Sequence, residues 1–295
     1  VPATVQVCIA NSLDLLLAQE EQGALPLHWA GSVSAMEALM LADAEKLSWN
    51  SRSYSNLTPL HKLVLLPMED NLSLDLMDKL IEVDESMLEE IEQNMGFAPL
   101  HLALQKPCPE MIRALVSLSS FHILILRCTK WGNLPIHYAV TKGLEIARII
   151  VEADPTLVDA RNTVPGNTPL ASLVSQPDAD VATVKYLLDL DPMVASIPDD
   201  FGCSPLHTAL LAGGNEEIVH MLLEADPSAV YSKEYQGALP MHIAARAGTS
   251  LDVLEMLLAK DPTRKTLLTP AKDGCLPIHE VLRDSFVYEN LLERK

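Results

Sequence analysis

The apolar residues of this chain recur at a fixed spacing, in a short phrase that starts with glycine and places proline between aliphatic positions. The copy at residues 237–244 reads Gly-Ala-Leu-Pro-Met-His-Ile-Ala. Variants of this phrase place their prolines at eight sites: Pro26, Pro59, Pro99, Pro135, Pro169, Pro205, Pro240 and Pro277. Successive prolines are 33, 40, 36, 34, 36, 35 and 37 residues apart. A period in this range is typical of stacked supersecondary units, so the pattern predicts a repeat array rather than two globular domains.

Each copy of the phrase predicts a turn followed by a short helix. The residue three before the proline is glycine in seven copies and Asn56 in the other, the residue types expected at a left-handed backbone position. Proline suits the first helical position, and the aliphatic residue after it should face a core. Thr58, Thr168 and Ser204 precede their prolines and can each supply a capping oxygen. A histidine stands two residues after the proline in seven copies, where it can reach back to the N-cap backbone; Ala171 replaces it in the fifth.

This phrase resembles the signature of the ankyrin repeat, Gly-x-Thr-Pro-Leu-His-x-Ala. The clearest copies are Asn-Leu-Thr-Pro-Leu-His at 56–61, Gly-Asn-Thr-Pro-Leu at 166–170 and Gly-Cys-Ser-Pro-Leu-His-Thr-Ala at 202–209. The resemblance implies an all-α solenoid of stacked helix-turn-helix units joined by hairpin-like turns, continuous over residues 1–295. We expect the tail of a preceding repeat at 1–19 and a partial final repeat at 271–295. The full repeats are predicted at 20–52, 53–92, 93–128, 129–162, 163–198, 199–233 and 234–270.

Two local features modify this regular pattern. The second repeat has four extra residues, which we place between its two helices around 67–74, and residues 69–92 hold ten acidic residues and one lysine. We interpret this acidic stretch as a solvated outer helix face, with a docking site for a basic partner as the less favoured alternative. From the fourth repeat on, the second helix ends in Asp-Pro, and the proline disfavours helix at the residue before it.

Composition and motifs argue against catalysis, cofactors and nucleic acid. The net charge of −19 disfavours a phosphate-binding surface, and no phosphate-binding glycine loop or nucleophile elbow occurs. The histidines share the structural period, so neighbours should lie about 10 Å apart, too far to share one metal ion. The five cysteines show no metal-ligand spacing and are typical of reduced thiols in an intracellular protein. With no signal peptide and no long apolar run, we expect a cytoplasmic protein, with the nucleus as an alternative, that has no membrane insertion and no small-molecule substrate.

Recognition of a protein partner is then the expected function. The resemblance implies partner contacts at the hairpin tips and at the exposed ends of the first helices. These positions hold Tyr54, Met95, Phe97, Trp131, Lys142, Phe201, Tyr235 and Arg246. Aromatic residues and arginine are typical of interface hot spots. The structural alternative is that each ring lies against the neighbouring hairpin and holds the stack together. Trp29, one residue after the first repeated histidine, is expected to pack in the core.

We therefore predict a non-enzymatic scaffold or adaptor that binds a protein through its hairpin tips and concave helix face. The alternative is a targeting or regulatory segment of a larger enzyme, such as a kinase or a ubiquitin ligase. The start of the chain at Val1 and its end inside the eighth repeat motivate that alternative.

Overall fold

The computed structural model describes residues 13–43, 45–68, 72–106, 108–118 and 129–282. The chain divides into two compact units, unit 1 at Val1–Asp154 and unit 2 at Pro155–Lys295. The described residues form helices and turns, with no β-strand among them. Parts of the predicted terminal repeats, residues 1–12 and 283–295, lie outside the described residues. So does the end of the third repeat, at 119–128.

Unit 1 is built from pairs of helices, each pair made of a short first helix and a longer second helix. Two 3₁₀ helices, Leu13–Leu17 and Pro26–Trp29, precede the first α-helix. The α-helices are α1 (Val33–Ala42), α2 (Pro59–Leu63), α3 (Leu72–Val83), α4 (Pro99–Gln105), α5 (Pro109–Val116), α6 (Pro135–Ala139) and α7 (Leu144–Ala153). Further 3₁₀ helices lie at Glu85–Leu88 and Val140–Lys142. The first helices pack side by side, α2 against α4 and α4 against α6.

Unit 2 repeats the same arrangement. Its α-helices are α8 (Pro169–Val174), α9 (Val181–Leu190), α10 (Pro205–Leu211), α11 (Glu216–Ala225), α12 (Pro240–Ala247), α13 (Leu251–Ala259) and α14 (Lys265–Leu268). Residues 277–282 are again helical. Helix α10 packs between α8 and α12, and α11 between α9 and α13. The predicted stack of helix pairs is thus present in both units, while the individual repeat boundaries stay predictions.

The predicted turn before each first helix is confirmed at all eight copies. Gly23, Gly96, Gly132, Gly166, Gly202, Gly237 and Gly274 have φ between 72° and 82°, and Asn56 has φ 59°. This left-handed conformation reverses the chain so that proline opens the next helix. The aliphatic residue after the proline is buried in seven copies, including Leu60 and Leu206 at 0% exposure. The eighth, Ile278, is exposed.

The repeated histidines join one layer to the next. In each of the seven copies the histidine Nδ1 accepts a hydrogen bond from the N–H of the residue before proline, as when Thr58 donates to His61 at 3.2 Å. Since Nδ1 accepts, the ring proton is on Nε2, which can donate to the following repeat. His28 donates to the carbonyl of Leu57 at 2.9 Å and His61 to that of Phe97 at 3.3 Å. The structural role predicted for the histidines is therefore confirmed at these sites.

The same bonding recurs in unit 2. His207 Nε2 donates to the carbonyl of Ala238 at 3.3 Å, and His242 Nε2 to that of Cys275 at 3.1 Å. One predicted cap differs: the Ser204 hydroxyl does not bond to a helix N–H but lies 2.9 Å from His207 Nδ1. The hydroxyl can donate there, because Nδ1 already accepts. Thr58 and Thr168 cap their helices as expected, accepting from His61 N and Ala171 N.

The Asp-Pro pairs do more than stop the second helix. Pro155, Pro192 and Pro227 each open a 3₁₀ helix. The carboxylates of Asp191 and Asp226 accept from the backbone N–H two residues on, at 2.9 and 3.0 Å. The proline thus starts a further turn that returns the chain to the next hairpin.

Candidate protein-interaction surface

Successive hairpin tips are linked by backbone hydrogen bonds. In unit 1, Tyr54 N–H donates to the carbonyl of Gln22 at 2.9 Å and Lys130 N–H to that of Met95 at 3.0 Å. In unit 2, Tyr235 N–H donates to the carbonyl of Phe201 at 2.8 Å. These bonds hold the backbone of each tip against that of its neighbour. A fixed tip lowers the entropy that binding would lose.

Most of the predicted tip aromatics are accessible. Tyr54 and Trp131 in unit 1, and Phe201 and Tyr235 in unit 2, are each more than half exposed, and Met95 is also exposed. Phe201 and Tyr235 occupy neighbouring tips whose backbones are joined directly by this hydrogen bond.

The tip tyrosines also touch the neighbouring hairpin. A Cβ at Gly23 would lie 2.5 Å from the Tyr54 ring, and one at Gly202 would lie 3.4 Å from the Tyr235 ring. Each ring covers the glycine turn of the preceding repeat with one edge and remains mostly solvent-exposed. The two alternatives for these rings, partner contact and support of the stack, are thus physically compatible.

Phe97 is a correction to the predicted surface. It is only 7% exposed, so the expectation that it lies open at a tip is wrong. Its N–H donates to Glu92 Oε1 at 3.2 Å and its carbonyl accepts from His61, which turns the side chain into the stack. There the ring stacks on His101 with a centroid distance of 5.9 Å and meets Tyr138 edge-on at 5.8 Å. In this repeat, the residue two before the proline packs inside the stack and stabilises it.

Trp29 is the opposite case, because it was expected in the core and is 68% exposed. The equivalent residues Leu102 and Ile243 are buried, and both lie in α-helices of at least seven residues. Trp29 ends a single 3₁₀ turn of four residues, whose tighter winding directs the side chain differently. Its exposure adds an aromatic residue to the candidate surface of unit 1.

Two cations complete the predicted set. Lys142 ends the 3₁₀ turn after α6, and Arg246 lies near the end of α12; both are exposed. Arg246 lies close enough to the Cys203 thiol to affect its titration. Burial, together with the carboxylates of Asp199 and Glu234, raises the pKa of the Cys203 thiol to about 11, and Arg246 opposes this shift. Arg246 thus stands near the base of the tip that carries Phe201.

Burial and turn hydrogen bonds account for the state of several titratable side chains among the described residues. Burial lowers the pKa of His61 and of His101 to about 4, so both rings are neutral at physiological pH. Asp273, Cys275 and Glu280 bring one ligand atom each within 4.8 Å of one another. However, the Asp273 carboxylate accepts from the Cys275 N–H at 2.9 Å, as Asp199 does from Cys203 at 2.8 Å. The turn itself accounts for the placement of this carboxylate, and we assign no metal to it.

Among the described residues, no helix is both long enough and apolar enough to cross a membrane.

The described residues thus form stacked pairs of helices. Glycine turns precede the pairs, and histidine hydrogen bonds join successive layers, so the protein is built from helical repeats. The family profile described as "Ankyrin repeats (3 copies)" matches residues 136–231 and 172–269. The crystal structure of the ankyrin repeat domain of Bcl-3, described as a unique member of the IkappaB protein family, is similar to this chain with a TM-score of 0.63. The alignment covers 81% of this chain and 100% of that domain, at 24% identity, and establishes similarity of fold. Comparison with curated protein sequences gave no significant match.

Residues 136–269 match the ankyrin-repeat profile, and the chain has the ankyrin-repeat fold, as the Gly-x-x-Pro phrase predicted. Ankyrin repeats indicate a protein–protein interaction domain.

Proposed function

We propose that this chain is a non-enzymatic scaffold or adaptor that binds a protein partner in the cytoplasm. The observation that carries the proposal is the exposure of aromatic rings at hairpin tips whose backbones are hydrogen-bonded to one another. Such rings contribute large contact areas with few rotatable bonds, and truncating a hot-spot ring weakens binding by about 2 kcal/mol or more. The candidate contacts are Tyr54, Met95, Trp131, Lys142, Phe201, Tyr235 and Arg246, with Trp29 added and Phe97 removed.

Phe201 and Tyr235, on neighbouring tips of unit 2, give the sharpest test. The partner is identified by affinity capture with the intact chain and mass spectrometry, and then used in purified form. The double variant Phe201→Ala/Tyr235→Ala should weaken its binding at least about 30-fold, the equivalent of one strong hot spot. A matched control is Met193→Ala/Leu251→Ala, which truncates two residues that are equally exposed but lie away from the tips.

Circular dichroism and thermal melting separate the two roles of the rings. Binding that is unchanged in the tip variant would refute the proposal. A collapse of the melting temperature in the tip variant alone would show that the rings are needed mainly for the stack.

A further inference from the structure

The first helices of unit 1 carry positive charge and no negative charge, in a chain whose net charge is −19. We take each first-helix segment to run from its proline to the seventh residue after it, which gives 59–66, 99–106 and 135–142, and 26–31 for the shorter first segment. None of these four segments contains aspartate or glutamate. Their charged residues other than histidine are Lys62, Lys106 and Lys142. The acidic residues of unit 1 lie instead in its hairpins, its second helices and the segments that flank them. The face formed by the first helices is therefore cationic.

The three lysines lie on the first helices or directly after them. Lys62 is in α2, Lys106 follows the last residue of α4, and Lys142 ends the 3₁₀ turn that follows α6. Because α4 packs between α2 and α6, the lysines belong to consecutive layers, about 10 Å apart at usual helix separations. Exposed Trp29 stands three residues after the proline of the first layer.

None of these lysines forms an ion pair with another described residue. The ion pairs found in the described part of the chain engage Arg52, Arg113, Arg161 and Lys260. Lys106 and Lys142 are exposed, and Lys62 is partly exposed. The three ammonium groups are therefore available to pair with an external anion.

Lys106 also borders an apolar groove. The groove has a volume of about 420 Å³ and lies between the second and third repeats. Val64, Leu66 and Met68 line it from one repeat, and Ala103 and Met111 from the next. This volume is enough for one or two large apolar side chains. An apolar groove beside a cation suits a segment in which an apolar residue neighbours a carboxylate.

Unit 2 contains a groove at the equivalent place in its repeats, and the two grooves differ in volume and in charge. That groove, lined by Val174, Pro177 and Ala209 among others, has a volume of about 200 Å³. Pro67 and Pro177 both stand eight residues after the proline that starts the first helix. Ala212 occupies the position of Lys106, seven residues after its proline. Unit 2 thus has a smaller groove without the cation.

We infer that the first-helix face of unit 1 binds an extended acidic segment of a protein partner, with an apolar residue of that segment in the groove beside Lys106. This inference rests on the proposed protein-binding function and specifies the chemistry of the partner. The Debye length is about 8 Å at physiological ionic strength, so acidic residues farther than this from the segment are largely screened. The Glu110 carboxylate lies beside the groove, where it accepts a hydrogen bond from the Cys108 thiol at 3.1 Å, so we place the apolar residue of the segment there and its carboxylates against the lysines. A spacing of about 10 Å corresponds to three residues of an extended chain.

The test uses designed peptides, so it does not depend on knowing the partner. A rhodamine-labelled peptide of four Glu-Leu-Ser triplets, blocked at both ends, is titrated with the full chain and followed by fluorescence anisotropy. A peptide of four Lys-Leu-Ser triplets serves as the opposite-charge probe. The acidic peptide should bind more tightly than the basic one, and raising the salt from 0.05 to 0.3 M should weaken that binding several-fold. Tighter binding of the basic peptide, or binding that strengthens with salt, would overturn the inference.

Charge-reversal variants locate the site. Lys106→Glu/Lys142→Glu should reduce affinity for the acidic peptide at least tenfold, whereas Ala212→Glu/Gln176→Glu, at the equivalent positions of unit 2, should leave it within twofold of the unmodified chain. Equal losses in both variants would contradict a site in unit 1. Equal competition by an oligothymidine of the same charge would also overturn the inference, because it would show general attraction of anions.

The two proposals can fail separately. If the variant Phe201→Ala/Tyr235→Ala weakens binding of the identified partner but the lysine variant does not, the protein-binding function stands and the acidic-segment inference falls. If neither variant changes partner binding, the proposed surface itself is wrong.

Discussion

Replacing a repeated histidine by phenylalanine should destabilise the stack more where that histidine bridges two repeats than where it does not. His61 is completely buried, accepts from the Thr58 N–H at 3.2 Å and donates to the Phe97 carbonyl at 3.3 Å. His61→Phe retains the ring shape but leaves one buried N–H and one buried carbonyl without their partner. Each unsatisfied buried group costs about 1–3 kcal/mol, and the extra apolar burial offsets part of this. We expect a net loss of about 2–4 kcal/mol in the free energy of unfolding.

His101 provides a matched comparison in the same unit. It accepts from the Ala98 N–H at 3.3 Å, but its buried Nε2 has no hydrogen-bond partner among the described residues, and the ring lies between Phe97 and Tyr138. Burial lowers the pKa of His101 to about 4, and the nearby Asn133 backbone opposes this shift. His101→Phe leaves the buried Ala98 N–H without its acceptor, but it removes a buried donor that is already unsatisfied and keeps the aromatic cluster. We therefore expect a loss of about 1–2 kcal/mol, smaller than for His61→Phe.

Urea unfolding followed by circular dichroism, with both midpoint and slope recorded, measures the difference between these variants. Because repeat arrays can unfold in steps, hydrogen exchange of amides in α2 and α4 should accompany it. The His61 variant should unfold at clearly lower urea than the His101 variant. Equal losses would refute the claim that the bond between layers, rather than the histidine ring itself, stabilises the stack.

Three further predictions follow from individual sites. Burial lowers the pKa of His61 from 6.5 to about 4, so between these pH values the unfolded chain binds a proton that the folded chain does not. Stability should therefore fall as the pH drops from 6.5 towards 4, by about 1.4 kcal/mol per pH unit for each such histidine. Urea midpoints that coincide at pH 7, 6 and 5 would contradict this. Gly23→Ala should destabilise the fold by more than about 1 kcal/mol, because φ is 74° and the new Cβ would lie 2.5 Å from the Tyr54 ring. Gly31→Ala is the control, since nothing lies within 4 Å of its Cβ position, and it should change the melting temperature little. Equal shifts in the two variants would argue against backbone strain. Asp261→Asn should lower the free energy of unfolding in urea by about 2–4 kcal/mol. The buried carboxylate accepts from the Thr266 N–H at 2.7 Å and from the Thr266 hydroxyl at 2.8 Å, and the NH₂ group of an asparagine could not accept either bond. Stability equal to that of the parent chain would show that this network is dispensable.

The backbone of each repeat could be predicted from the sequence because its determinants are local. A glycine three residues before proline specifies a left-handed turn, and proline specifies the start of a helix, whatever surrounds them. The histidine is nearly as local, since its first bond, from Thr58 to His61 for example, spans only three residues. These features recur along the chain because the same short-range physics applies in each repeat, although Asn56 replaces the glycine once and Ala171 replaces the histidine once.

The exposure of individual side chains could not be predicted in this way, because it depends on the next repeat. Phe97 is buried because Tyr138, 41 residues later, supplies a ring for it to meet edge-on. Trp29 is exposed because its first helix is one 3₁₀ turn rather than a longer α-helix. The segregation of charge is visible in the sequence, but its meaning requires knowing that α2, α4 and α6 lie side by side. Such information is carried by packing between layers and is absent from the repeat phrase.

Hydrogen exchange of the chain with and without its identified partner tests the central claim most directly. If the tips and first helices form the binding surface, protection should increase at the backbone amides of hairpin residues 52–57, 93–96, 129–133, 199–203 and 233–237, or within those of the unit that the partner engages. The second helices α3, α5, α9 and α11 should remain unchanged. Protection confined to these second helices, with exchange at the tips unaltered, would contradict the account.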